Sequence, residues 1–134
     1  DTQSLRKERA WASWFLKPKG DIRSSNQLEI PASNFDCQGL ELDYIGMCWG
    51  SDMTYDSDTT TWRTRRLRGT SWQQARDTAR NYMLNSYRVL LTRARKGMVI
   101  WVPSSDDSDD TINPEFLDAT ARLIMDYGVP TLED

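Results

Sequence analysis

The chain has 134 residues, 38% hydrophobic and 28% charged, with a formal net charge of −3. That length supports one domain with a buried core and is short for two, and no apolar run approaches the length of a membrane span. It contains no histidine, which removes Ser-His and Cys-His nucleophile pairs and every His-bearing metal site, leaving carboxylate, Lys, Arg or Tyr chemistry.

The first residues carry no apolar core for a signal peptide, and the missing initiator Met is read as the mark of a processed or excised segment. Leu5, Trp11, Phe15 and Leu16 stand at near-helical spacing, so a helix is expected over about residues 2–17, stopped by Pro18-Lys19-Gly20. Leu28 to Ala32 is a short strand candidate. A polar turn centred on Gly39 leads into the apolar run Leu42 to Trp49, expected as a strand covered on both faces. Residues 50–61 are rich in Asp, Ser and Thr and read as a loop. Trp62-Arg63-Thr64-Arg65-Arg66-Leu67-Arg68 is a basic cluster, either a solvated loop or a nucleic-acid contact beside which Trp62 or Trp72 stacks on a base.

Ser71 with Gln74 three residues later has the capping-box pattern, so a long helix with one interruption is expected from Ser71 to Lys96. Four cations, Arg88, Arg93, Arg95 and Lys96, fall within nine residues at its end. Met98 to Val102 reads as the next strand, with Trp49 and Trp101 expected in the core. Asp106 to Asp110 is an acidic loop, and a final helix is expected from about Asn113-Pro114 to Tyr127, closed by Gly128 and Pro130. Cys37 and Cys48 have neither disulfide nor zinc spacing and are read as reduced thiols of an intracellular, cytoplasmic protein. Asp36, Glu41 and Asp43 form a magnesium-like set, but no Lys follows at nuclease-like spacing, and no metal site is assigned.

Strand, loop, long helix, strand and final helix together predict a single α/β domain over residues 1–134, with a largely parallel sheet flanked by helices. The ligand edge is then expected at the carboxyl ends of the strands.

Two segments carry a resemblance. Ser33-Asn34-Phe35-Asp36-Cys37-Gln38-Gly39-Leu40-Glu41-Leu42-Asp43 resembles motif V of superfamily 1 helicases, and Tyr87-Arg88-Val89-Leu90-Leu91-Thr92-Arg93-Ala94-Arg95-Lys96-Gly97 resembles their motif VI. With Cys48-Trp49-Gly50-Ser51-Asp52, these blocks are similar to the Schlafen-related group of DNA/RNA helicases, over about residues 21–132. The resemblance implies a RecA-like fold and the second half of a two-domain ATPase. The chain has no Gly-x-x-x-x-Gly-Lys-Ser/Thr phosphate loop, so the partner implied is a P-loop-bearing N-terminal RecA-like domain, with ATP and Mg2+ belonging to the complete enzyme. The isolated chain is expected to be inactive.

On that resemblance Arg93 is the arginine-finger candidate, with Arg95 and Arg88 as alternatives, because a planar, permanently charged fork suits a phosphoryl group whose charge spreads in the transition state. Gln38, Gly39, Glu41 and Arg95 are assigned to the nucleotide, Glu41 to its ribose hydroxyls. Gly39 is equally explained by a tight turn at positive φ. Ser33 stands where the motif has Thr and keeps the hydroxyl, whereas Phe35 replaces a frequent His. Ser33, Arg63, Arg65, Arg66 and Arg68 are the candidates for contact with single-stranded DNA or RNA. The alternative function is a non-catalytic nucleic-acid-binding or protein-interaction module on the same fold.

Overall fold

A computed structural model describes residues 8–37, 39–104 and 114–132. The chain divides into two compact units, Asp1–Leu40 and Glu41–Asp134. In the first, helix α1 spans Glu8–Leu16. Trp14 is buried, and its Nε1 donates to the Ile30 carbonyl at 2.9 Å. Ser24 caps a short 3-10 turn, Ser25–Gln27, and donates its hydroxyl to the Lys17 carbonyl at 2.8 Å. The Arg23 guanidinium donates twice to Asp21, which holds that carboxyl well below the usual carboxylate range. The strand expected at Leu28 to Ala32 does not form: Leu28 takes a left-handed conformation, φ 58°, that breaks the extended run.

The described residues of the second unit form five strands: β1 Leu42–Cys48, β2 Met53–Asp56, β3 Thr61–Arg68, β4 Ser71–Gln74 and β5 Ala94–Trp101. Helix α2, Asp77–Leu91, precedes β5, and α3 spans Pro114–Asp126. Strands β1 and β5 pair in parallel, whereas β2, β3 and β4 form an antiparallel meander inserted between β1 and α2. The α/β class therefore holds, but among the described residues parallel pairing is confined to two strands and the sheet is not largely parallel. Residues 50–61, expected as a loop, contain β2, and the basic cluster is strand β3. Ser71 and Gln74 lie in β4, so the helix begins at Asp77 and stops at Leu91.

The core lies between the β1–β5 pair, α2 and the meander. Met47, Trp49, Met53 and Tyr87 are buried together, and Ile45, Met98, Ile100, Leu84 and Leu90 pack against them. Leu84, Tyr87 and Leu90 recur at helical spacing, which turns one face of α2 onto the core. The Trp49 ring stacks on Trp62 at 5.8 Å and leans on Tyr87 at 4.7 Å, while its Nε1 donates to the Met53 carbonyl at 2.6 Å. Trp62 is thus a core residue.

Among the described residues, one face of the parallel pair is filled. Tyr44, Gly46 and Cys48 oppose Gly97, Val99 and Trp101 in register on the other face, where Tyr44 is 72% and Trp101 58% exposed. The expectation of a strand covered on both faces, with Trp101 in the core, is corrected accordingly.

Helix α3 closes the edge of β2. Pro114 opens it, where a missing N–H costs nothing, and Leu117 and Thr120 on one face are completely buried. The Thr120 hydroxyl donates to the Phe116 carbonyl at 2.6 Å and accepts from the Tyr55 amide at 2.8 Å, satisfying an otherwise open strand donor. Gly128, φ 92°, ends the helix as expected: its amide bonds to Met125 and that of Val129 to Ile124, the two bonds of a Schellman cap.

Candidate nucleotide-facing edge

The cation-rich segment runs off the end of α2 into β5. Thr92 terminates the helix by donating its hydroxyl back to the Arg88 and Val89 carbonyls, and Arg93 sits in the turn just before Ala94. Across from it, the Leu42 amide donates to the Arg93 carbonyl at 3.4 Å, so Glu41 and Arg93 precede two paired strands side by side. This junction lies at the amino ends of β1 and β5. That is the opposite end from the carboxyl edge expected for the ligand: both candidate segments precede their strands in sequence, so they reach the sheet at the strands' amino ends.

The pairing is irregular at this edge. Leu42 opposes Ala94 and Tyr44 opposes Gly97, so Arg95 and Lys96 together face Asp43 alone. Such a bulge re-aims side chains. Lys96 Nζ reaches Asp43 Oδ2 at 2.7 Å, and this hydrogen bond lowers the pKa of the Asp43 carboxyl. Arg95 is exposed and makes no ion pair among the described residues. Arg93 is half-buried. Arg88 is exposed on α2, where its Nη1 donates to Asn85 Oδ1 at 3.1 Å. Gly97 leaves room for a neighbour, since a Cβ there would stand 3.2 Å from the Tyr44 ring.

In the first unit, the Ser33 hydroxyl donates to Asp36 Oδ2 at 2.6 Å and its amide bonds to the same oxygen at 3.0 Å. The hydroxyl proton is thus engaged within the turn, while the oxygen can still accept. Gly39 has φ 83°, and nothing lies within 4 Å of where its Cβ would be. Backbone conformation, rather than crowding, explains glycine there. Gln38 lies outside the described residues, as does the acidic loop Asp106 to Asp110. No cluster of three or more Cys, Asp or Glu among the described residues is placed to hold a metal ion. No described helix is long and apolar enough to cross a membrane.

The opposite end of β1 holds a contact that sequence reasoning missed. The Tyr87 hydroxyl donates to Asp52 Oδ1 at 2.6 Å and accepts from the Gly50 amide at 3.2 Å. Burial, then the Asp52 charge and hydrogen bond, push the Tyr87 phenol far above its ordinary pKa. The same turn receives Arg65, whose amide bonds to the Asp52 carbonyl at 2.7 Å and whose Nη2 bonds to the Ser51 carbonyl at 3.1 Å. The available signal was that Cys48 to Asp52 and Tyr87 both fall in the blocks that carry the resemblance.

Strand alternation divides the basic cluster. Arg63 lies over the Phe116 ring at 4.1 Å and approaches Asp56 at 3.8 Å, and Arg65 lies over Trp72 at 5.2 Å. Arg66 and Arg68, on the other face, are exposed and have no ion pair among the described residues.

Residues 2–104 match the family model described as Schlafen group 3, DNA/RNA helicase domain. Comparison with curated proteins and with solved structures gives no significant match. With the match covering well over half of its length, the chain belongs to the Schlafen group 3 DNA/RNA helicase domain family.

Proposed function

We infer that this chain is the second, RecA-like half of a helicase-like ATPase site, completed by a P-loop-bearing domain. The observation that carries this reading is the adjacency of Glu41 and Arg93 at the start of two paired parallel strands. The segments resembling motifs V and VI thereby end and pass through one sheet edge, where a bulge adds Arg95.

Such an edge suits a nucleoside triphosphate. Guanidinium forks of Arg93 and Arg95 offer several charge-assisted donors to phosphoryl oxygens, and a carboxylate such as Glu41 accepts from paired ribose hydroxyls. When bound, Mg2+ would neutralise phosphate charge, held chiefly by the partner domain. Arg93 then acts as the finger: it adds positive charge where negative charge develops, and its half-buried position limits competing water.

ATP hydrolysis by the purified chain, alone and mixed with its P-loop domain, tests the reading. The chain alone should show none, and the mixture should hydrolyse. Turnover by the chain alone that is abolished by Arg93→Ala would overturn the half-site reading.

A further inference from the structure

Strand β2 pairs with only the first half of β3, through Thr61 to Thr64. Beyond it, Arg65 to Arg68 pair with β4 alone, and the ribbon turns through Gly69-Thr70. Gly69 has φ 61° at the first central position, as a tight two-residue hairpin of the primed type requires. Every residue from Arg66 to Ser71 is exposed, so this half of the hairpin stands clear of the core as a two-stranded ribbon.

Its two faces differ. On one, Arg65 and Leu67 flank Trp72, and the guanidinium of Arg65 already covers the indole. On the other, Arg66 opposes Gln73 and Arg68 opposes Ser71. This second face carries two guanidinium groups without an ion pair among the described residues, one amide and one hydroxyl, and no aromatic ring.

An unneutralised pair of arginines calls for an anionic partner, and the absence of a stacking ring on that face disfavours unstacked bases. Strands about 4.8 Å apart make a ribbon slim enough for the B-form major groove, which is about 12 Å wide. The deep, narrow major groove of A-form RNA excludes it.

We propose that the free half of the β3–β4 ribbon enters the major groove of duplex DNA through Arg66, Arg68, Ser71 and Gln73. The proposal is independent of the nucleotide-site reading, since none of these residues lies at that edge.

Fluorescence anisotropy of the full chain with a short labelled DNA duplex, its single strand and the matching RNA duplex tests it, between about 50 and 200 mM salt. The DNA duplex should bind tightest. In Arg66→Ala/Arg68→Ala its affinity should fall roughly tenfold or more, with the salt slope reduced by about 1.8. Arg66→Lys/Arg68→Lys keeps both charges and should keep the slope while losing affinity, because Lys cannot supply a bidentate fork. Equal or tighter binding of single strand or RNA duplex overturns the proposal, as does an unchanged slope in the Ala variant or unchanged affinity in the Lys variant. Absence of duplex binding at the lowest salt overturns it too, and would assign the ribbon to an acidic protein surface. Thermal midpoints equal to wild type establish that the variants are folded.

Discussion

Tyr87 on α2 donates its phenol proton to Asp52 in the turn after β1, at 2.6 Å and across thirty-five residues of sequence. The turn also binds Arg65 of β3 through two carbonyls. One short segment therefore ties the helix that leads to Arg93 to the strand that leads into the ribbon. Tyr87→Phe removes a hydrogen bond to a charged acceptor and should cost roughly 1–2 kcal/mol, since partly exposed Asp52 regains some water. Urea unfolding measures it.

The same phenol gives a pH signature. Burial and Asp52 raise its pKa in the folded chain above the ordinary value near 10. The folded state then holds the proton to higher pH than the unfolded state, so stability is intact below about pH 10 and falls as pH rises beyond it. Unfolding followed from about pH 9 to 11 should show a smaller decline in Tyr87→Phe.

Gly50 is required by that contact. A Cβ there would lie 2.6 Å from Asp52 Oδ1 and 3.2 Å from the Tyr87 hydroxyl. Gly50→Ala should lower stability by displacing the carboxylate, and its effect should add less than fully to that of Tyr87→Phe, because both break one contact. Full additivity in a double-mutant cycle would show that the two residues act separately.

Thr120 has a comparable role at the edge of β2. Thr120→Val keeps its shape but leaves the half-buried Tyr55 amide without its acceptor and should cost about 1 kcal/mol or more. A thermal midpoint equal to wild type would show that another acceptor replaces the hydroxyl.

Apolar runs bounded by punctuation were legible in the sequence. Leu42 to Trp49 and Met98 to Val102 announced themselves as mostly apolar runs, the second after Gly97, and the last helix by its Pro114 and Gly128 boundaries. The meander did not. Its strands place Thr54 and Thr64 in buried positions, and Arg63 and Arg65 lay their guanidinium groups over the Phe116 and Trp72 rings, so composition imitated a solvated loop. Gly69-Thr70 was the readable hairpin signal within it. Ser71 and Gln74 matched a capping box only because three-residue spacing exists in strands as well as helices.

For the candidate site, the sequence marks the two segments but not the end of the sheet at which they meet. Thr92 closes α2 early, and Arg93 therefore precedes β5 instead of lying inside a continuous helix. The Lys96–Asp43 pair depends on a bulge that no residue pattern announces.

The central claim is that Arg93 works on the transition state of ATP hydrolysis. Single-turnover hydrolysis by the chain assembled with the P-loop-bearing domain proposed for it, compared with Arg93→Ala and Arg93→Lys, tests it most directly. Both variants should bind ATP nearly as wild type, and Arg93→Ala should react about a thousandfold more slowly. Arg93→Lys should be impaired as well, because a point charge does not replace a planar fork. A hydrolysis rate in Arg93→Ala equal to wild type would contradict the account.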